Sequence, residues 1–271
     1  MTAEDLTAFL ARLTSKQNRI QNSPPLPPAS IDSLFDDFAL RHAHETTALE
    51  GNTLTLHEAQ EVIEQGTTIP GKSLREHLEV VNAYATWQWL RRVVERHEPL
   101  TAALVLELHR RLMQGILGDD AGFYRRMAVY IRGSRHVPPN WVKVPDLMER
   151  WVATFSGETQ EHPVTCAARA HIDLTAIHPF VDGNGRTARL IVNFLLMQSG
   201  YPPALYTMTA RRDYLHALEV AHMDGNPLPF IAVTAQAAEL MLDRWLFLIE
   251  DSRPESGRPG SEAGTPPDLD R

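Results

Sequence analysis

The residues of this chain with the most chemistry lie in the run His178-Pro179-Phe180-Val181-Asp182-Gly183-Asn184-Gly185-Arg186, followed by Arg189. An imidazole, a carboxylate, a glycine-flanked turn and two guanidinium groups fall within one short stretch. Such a set suits phosphate transfer. His178 has an ordinary pKa of about 6.5, so it can take a proton from a hydroxyl near neutral pH. Gly183 and Gly185 reach backbone angles closed to other residues, and Asn184 tolerates them better than most. Consecutive N–H groups in such a turn converge on one concavity, an anion nest. Arg186 and Arg189 share a face, and two cations at a helix N-terminus are unfavourable unless an anion lies between them. That points to a polyphosphate. Asp182 would repel phosphate unless a divalent cation bridged the two, and magnesium takes one or two carboxylates together with substrate phosphates.

The flanking segments place these groups. Pro179 disfavours helical geometry at His178, so a helix arriving from about His162 should stop there. The segment after the turn, Arg186 to Gln198, is apolar at helical spacing, with Leu190, Phe194 and Met197 on one line. The nest then lies at a helix N-terminus, where free N–H groups favour phosphate. Phe180 alternates with the polar residues and is expected to anchor the loop in the core. Upstream, Ala128-Val129-Tyr130-Ile131 and His136-Val137-Pro138-Pro139 flank the turn Arg132-Gly133-Ser134-Arg135 and read as a short β-hairpin, with Pro138 limiting strand growth. Further upstream, Thr46-Thr47-Ala48-Leu49-Glu50-Gly51-Asn52 reads as a helix end capped by Gly51. Glu50 is out of place there, since a carboxylate faces the negative end of the helix dipole and needs a partner cation.

HPFVDGNGRTAR resembles the signature HxFx(D/E)GNGRxxR of Fic-domain proteins, matching every fixed position. The resemblance implies an all-α, Fic-type helical bundle with a short β-hairpin flap, and transfer of AMP from Mg-ATP to a Ser, Thr or Tyr hydroxyl of a target protein. It implies His178 as general base, Asp182 as Mg²⁺ ligand, and Gly183, Asn184 and Gly185 as a phosphate cradle. Arg186 would reach the β-phosphate side, Arg189 the γ-phosphate, and Tyr214 would border the nucleotide pocket. In that family the flap pairs with the target as an extra strand, a role that falls here on Val129, Tyr130, Ile131, His136 and Val137. Thr46, Glu50, Gly51 and Asn52 resemble the family's inhibitory (S/T)xxxE(G/N) motif, whose Glu bonds the second motif arginine, here Arg189. The implied organisation is an N-terminal helix over 1–22, a Pro-rich linker over 23–30, and a Fic domain over 31–250. That domain includes an inhibitory helix near 44–51, and a disordered tail fills 251–271. In some relatives the same Glu serves removal of AMP. Phosphoryl or other nucleotidyl transfer on the same scaffold, and a non-catalytic nucleotide-binding regulator, are the alternative readings.

Composition narrows the partners. A formal net charge of −8 and the lack of a basic run speak against direct nucleic-acid binding. No apolar stretch approaches bilayer length, Leu190 to Met197 being interrupted by Asn193, and the acidic start Met1-Thr2-Ala3-Glu4-Asp5 is unlike a signal peptide. The expectation is a cytoplasmic protein that reads ATP and an unidentified target; self-modification and a homodimer are both compatible with it. The single Cys166 reads as a small buried residue. Helices are expected over 3–21, 31–49, 56–65, 73–97, 100–116, 144–156, 162–177, 185–199, 210–223 and 228–250. His171 reads as a packed or hydrogen-bonded core residue, His42 and His44 as solvated, and Asn193 as orienting the inhibitory segment.

Overall fold

Local signals set most helix starts in the computed structural model, which describes residues 2–157 and 159–252. Thr2 with Asp5, Thr55 with Glu58 and Ser73 with Glu76 form reciprocal capping boxes that open α1 (Ala3–Gln21), α3 (Leu56–Gln65) and α4 (Leu74–Glu95). α2 (Pro28–Ala48) begins inside the expected Pro-rich linker, because Pro28 sits at its first position, where a missing N–H costs nothing. Thr101 caps α5 (Ala102–Leu112). That helix stops short of the expected residue 116, as Gly115 and Gly118 adopt left-handed angles (φ +73° and +54°) that no helix contains. α6 (Val144–Phe155), α7 (Pro163–Ile177), α8 (Asn184–Gln198), α9 (Arg211–Asp224) and α10 (Leu228–Asp251) follow near their expected bounds. The tail expected to be disordered lies outside the described residues beyond 252. No β-strand occurs among the described residues.

α8 is the axis of the bundle. Nearly all of it is buried, from Asn184 to Leu196, and it packs against α7, α5, α4 and α2. A helix buried on every side, its arginines and asparagines included, is a central one. Leu190, Ile191, Val192 and Phe194 are at most 1% exposed. α1 lies along α10, and its Leu6, Phe9 and Leu13 join the same core as α8, so the N-terminal helix shares the main hydrophobic cluster. No described helix is long and apolar enough to cross a membrane. Cys166 is only half-buried, and burial raises its thiol pKa.

One core assignment is a correction. His42, expected in solvent, is 2% exposed and stacks on Phe38 (ring centroids 5.6 Å apart) beside Trp87 (5.5 Å). Leu34, Phe38, His42 and Thr46 fall at four-residue steps on one buried line of α2, so register carries His42 inward with its apolar neighbours. Burial drives its pKa down to about 3, with the nearby Arg189 charge acting in the same direction. His109 and His178 are pushed down to about 4, chiefly by burial, and His171 also falls well below the ordinary value.

These imidazoles are neutral in the fold and protonate once unfolded. Their contribution is therefore complete above the unfolded pKa of about 6.5 and is lost as pH falls toward 4, by up to about 1.4 kcal/mol per pH unit per group. Urea midpoints should be level above pH 7 and drop from pH 6.5 to 4.5, and His42→Phe should make that drop shallower. Identical acid dependence in the variant would show that His42 takes up its proton in the folded state.

Candidate functional site

The loop between α7 and α8 closes through its own side chains. His178 caps α7 in a left-handed conformation (φ +51°), a strained position for a non-glycine residue, and its N–H donates to the Leu174 carbonyl. The Asn184 side chain turns inward and clamps Phe180, accepting from its N–H and donating to its carbonyl, both at 2.9 Å. Only the backbone of Asn184 is therefore left to face a ligand. Phe180 is fully buried and stacks on His109 with centroids 3.7 Å apart. His109 accepts from the Gly122 N–H at Nδ1, so its Nε2–H donates to the Asp182 carbonyl (3.0 Å). Sequence reasoning missed this neutral strut, which joins α5 to both the loop and the segment after it.

His178 presents a defined face. Its Nδ1–H donates to the Thr175 carbonyl at 3.2 Å, which leaves the Nε2 lone pair free. Burial lowers its pKa to about 4, partly offset by the Thr175 carbonyl, so the imidazole is a neutral acceptor throughout the physiological range. Gly183 begins α8 at φ +81° with no side-chain cap, leaving the first-turn N–H groups to the cleft. That cleft, about 730 Å³, is lined among others by Glu50, Tyr130, His178, Asp182, Gly185 and Arg186.

The two motif arginines are both buried, in different company. Arg186, 2% exposed, pairs with Glu79 (3.0 Å) and Asp182 (3.0 Å), while its Nε has no partner. Asp182 also accepts from its neighbour Gly183 N–H (2.6 Å) and from Arg75. Burial works to raise its pKa, but Arg186, Arg75 and that N–H outweigh it and hold the carboxyl below its ordinary value. Glu79 gathers Arg186, Arg75 (3.0 Å) and the Asn52 amide (3.0 Å). Arg75 and Glu79 were invisible as site residues; their four-residue spacing on α4 marks a pair but not the third partner.

Arg189 is 1% exposed, and each of its three nitrogens is engaged. It donates from Nε to Thr46 Oγ1 (2.8 Å), from Nη2 to the Thr46 carbonyl (2.9 Å) and to Glu50 Oε1 (2.8 Å), and from Nη1 to the Tyr214 hydroxyl (3.1 Å). Glu50 is thus the partnered carboxylate the helix end required. Tyr214 stands behind Arg189, with its hydroxyl against His171 Nε2 (2.9 Å), and does not line the cleft. His171 is the hydrogen-bonded core residue expected. Asn193 departs from expectation: its Oδ1 accepts from Ala204 N–H (2.8 Å), tying down the chain after α8. Gly51 ends the α2 segment at φ +102°. A Cβ on Gly185 would collide with the Glu50 carboxylate, so the two pack without space between them.

The expected hairpin is a loop. Residues 128–131 lead to a turn at Arg132-Gly133, where Ser134 N–H donates to the Ile131 carbonyl (3.2 Å), and 136–139 return without a ladder. Side chains fix the two arms in place of each other. Arg125, 3% exposed, donates to the carbonyls of Met127 (2.9 Å), Pro139 (2.6 Å) and His178 (2.8 Å). Ser134 and Arg135 bond Glu219 of α9, and the His136 ring meets the Ala176 carbonyl (2.9 Å). The turn and the returning arm are thus held on α9 and α7, and no ladder joins them to the outgoing arm. Tyr130 and Val137 are 87% and 68% exposed.

Comparison with known proteins agrees with this geometry. A model of the Fic/DOC family matches residues 99–196. Over 248 residues the chain is 37% identical to protein adenylyltransferase Fic of Drosophila ananassae, covering 89% of this chain and 48% of the relative. The chain therefore spans about half the length of the curated relatives it matches. A solved fragment of Fic-1 from C. elegans superimposes with a TM-score of 0.84 at 29% identity, covering 93% of this chain and 74% of the other. A form of that fragment with a Glu-to-Gly substitution gives 0.79 at 30% identity, covering 89% and 72%.

Arg125→Gln would leave the part-buried carbonyls of Met127, Pro139 and His178 without their charged donor and should cost about 1–3 kcal/mol of folding stability. Limited proteolysis should then cut within 126–139 well before the wild type. Resistance equal to the wild type would show that the loop is held without this guanidinium.

Proposed function

This chain belongs to the Fic/DOC family, and we propose that it is an auto-inhibited protein adenylyltransferase that moves AMP from Mg-ATP to a hydroxyl of a target protein. The observation that carries the reading is the Arg189–Glu50 contact (2.8 Å) beside an open helix N-terminus and a neutral His178. In the reaction the target oxygen attacks the α-phosphorus, the bond to pyrophosphate breaks, and the hydroxyl proton passes to His178 Nε2. The first-turn N–H groups of α8 would hold the phosphates, with Arg186, which lines the cleft, supplying positive charge beside them. Asp182 suits a divalent ion, being ionised, half-exposed and already bound to cationic groups. Bound there with the nucleotide, Mg²⁺ would neutralise phosphate charge and orient the leaving group.

Inhibition follows from one guanidinium being claimed twice. Glu50 occupies the donor of Arg189 that a terminal phosphate would need, and fixed fork geometry does not serve both. Thr46 holds the other side of the same group. Freed of Glu50, Arg189 would keep Thr46 and Tyr214 as neutral partners and offer one donor to phosphate. Exposed Tyr130, which lines the cleft, would offer a target segment a docking contact, and the same Glu50 carboxylate could serve AMP removal by holding water.

Glu50→Gly should label itself or an added protein from α-labelled ATP at least tenfold faster than the wild type, and Glu50→Gly/His178→Ala should lose the label while still binding ATP. Covalent γ-label instead would identify a phosphoryl transferase, and nucleotide binding without label from either position would favour a regulator. In Glu50→Gly the acid limb of kcat/KM should lie well below pH 6.5, toward 4, because His178 is held neutral there.

A further inference from the structure

Four charges close a ring at the mouth of the cleft. Arg75 meets Asp182, Asp182 meets Arg186, Arg186 meets Glu79, and Glu79 meets Arg75. Two of the four are buried, Arg186 at 2% and Glu79 at 8% side-chain exposure, and they form its fixed half. Arg75 is 52% exposed and Asp182 36%, so their contact can open to water without disturbing the core. Arg75 takes only Asp182 Oδ2, the oxygen turned from the loop, since Oδ1 already accepts from Gly183 N–H and Arg186. When it leaves, Arg75 retains Glu79, one turn along its own helix, through Nε at 3.0 Å. Glu79 meanwhile keeps Arg186 and Asn52.

We propose that Arg75 is an internal stand-in for the divalent cation, occupying Asp182 in the resting protein and giving it up when metal and nucleotide enter together. This rests on the reading of Asp182 as the metal ligand. The ring is neutral when closed, so Asp182 is never an uncompensated carboxylate beside the anion nest. A guanidinium and a divalent ion crowded onto one carboxylate oxygen repel each other, so metal binding at Asp182 is opposed by Arg75 and favours its swinging away. Metal without nucleotide lacks the phosphate oxygens that would repay this exchange. Arg75 therefore makes metal binding depend on the polyphosphate, a function separate from the Glu50 brake on Arg189.

The test is metal affinity itself. Free Mn²⁺ would be followed by electron paramagnetic resonance in titrations of the full chain, with and without an ATP analogue that cannot be cleaved between the α- and β-phosphates. Wild type, Arg75→Gln, Arg75→Lys and Asp182→Asn would be compared at low and high salt. Arg75→Gln should bind Mn²⁺ roughly two- to fivefold more tightly than the wild type, with the larger gain in the absence of nucleotide. The gain should shrink toward high salt, because it comes from a solvent-reached pair. Arg75→Lys should resemble the wild type. Equal affinity in Arg75→Gln would overturn the proposal, and weaker binding only in the presence of nucleotide would make Arg75 a phosphate ligand instead. If Asp182→Asn keeps wild-type affinity, the metal assignment itself fails and the stand-in role falls with it. None of these readouts requires AMP transfer, so a failed labelling experiment and a failed stand-in remain distinguishable.

Discussion

A guanidinium buried to 1% exposure must be neutralised inside the protein, and most of the site can be understood as the solution to that problem at Arg189. Withdrawing a cation from water is costly unless nearly every donor finds a partner. Two of its partners lie on Thr46, one on Tyr214, and the single anion is Glu50. The same charge helps keep His42 and His171 unprotonated, so the imidazoles around it add no second cation. The end of α2 is thus bound to the second turn of α8 by electrostatic necessity. The residue that satisfies the arginine is, on our reading, the one that prevents its use.

The chemistry is seated on the rigid part of the molecule. α8 is both the central core helix and the source of Arg186 and Arg189, so its register is set by the packing of Leu190, Ile191 and Phe194. The loop before it has no freedom of its own, being fixed by Asn184 on Phe180 and by His109 beneath them. Arg125 then extends this rigidity outward. It reaches both arms of the exposed loop and the His178 carbonyl, so the position of the loop and that of His178 are referred to one side chain.

Much of this could be read in the sequence, for reasons that differ by residue. The helices were legible because apolar spacing and capping residues are local, and the 178–189 run because its residue types are rarely combined for any other purpose. Glu50 was legible as an anomaly, a carboxylate at the wrong end of a dipole. His42 was misjudged because its polarity was weighed above its place on the line through Phe38 and Thr46. The hairpin failed because β-propensity describes residues and not partners, and here Arg125, Glu219 and the Ala176 carbonyl take up groups of the loop that a ladder would have needed as a scaffold. Arg75, Glu79, His109 and Arg125 act through contacts between distant parts of the chain, for which spacing carries no signal.

The closeness of Gly185 to the Glu50 carboxylate makes the control asymmetric under mutation. A side chain at position 185 would enter the space now filled by the Glu50 carboxylate, which on our reading the nucleotide phosphates also need, so substitution there disturbs both occupants at once. Changes at Glu50, by contrast, remove the inhibitor and leave the phosphate space intact. On the proposed reading, the narrow space beside Gly185 is as much a part of the control as the carboxylate that fills it.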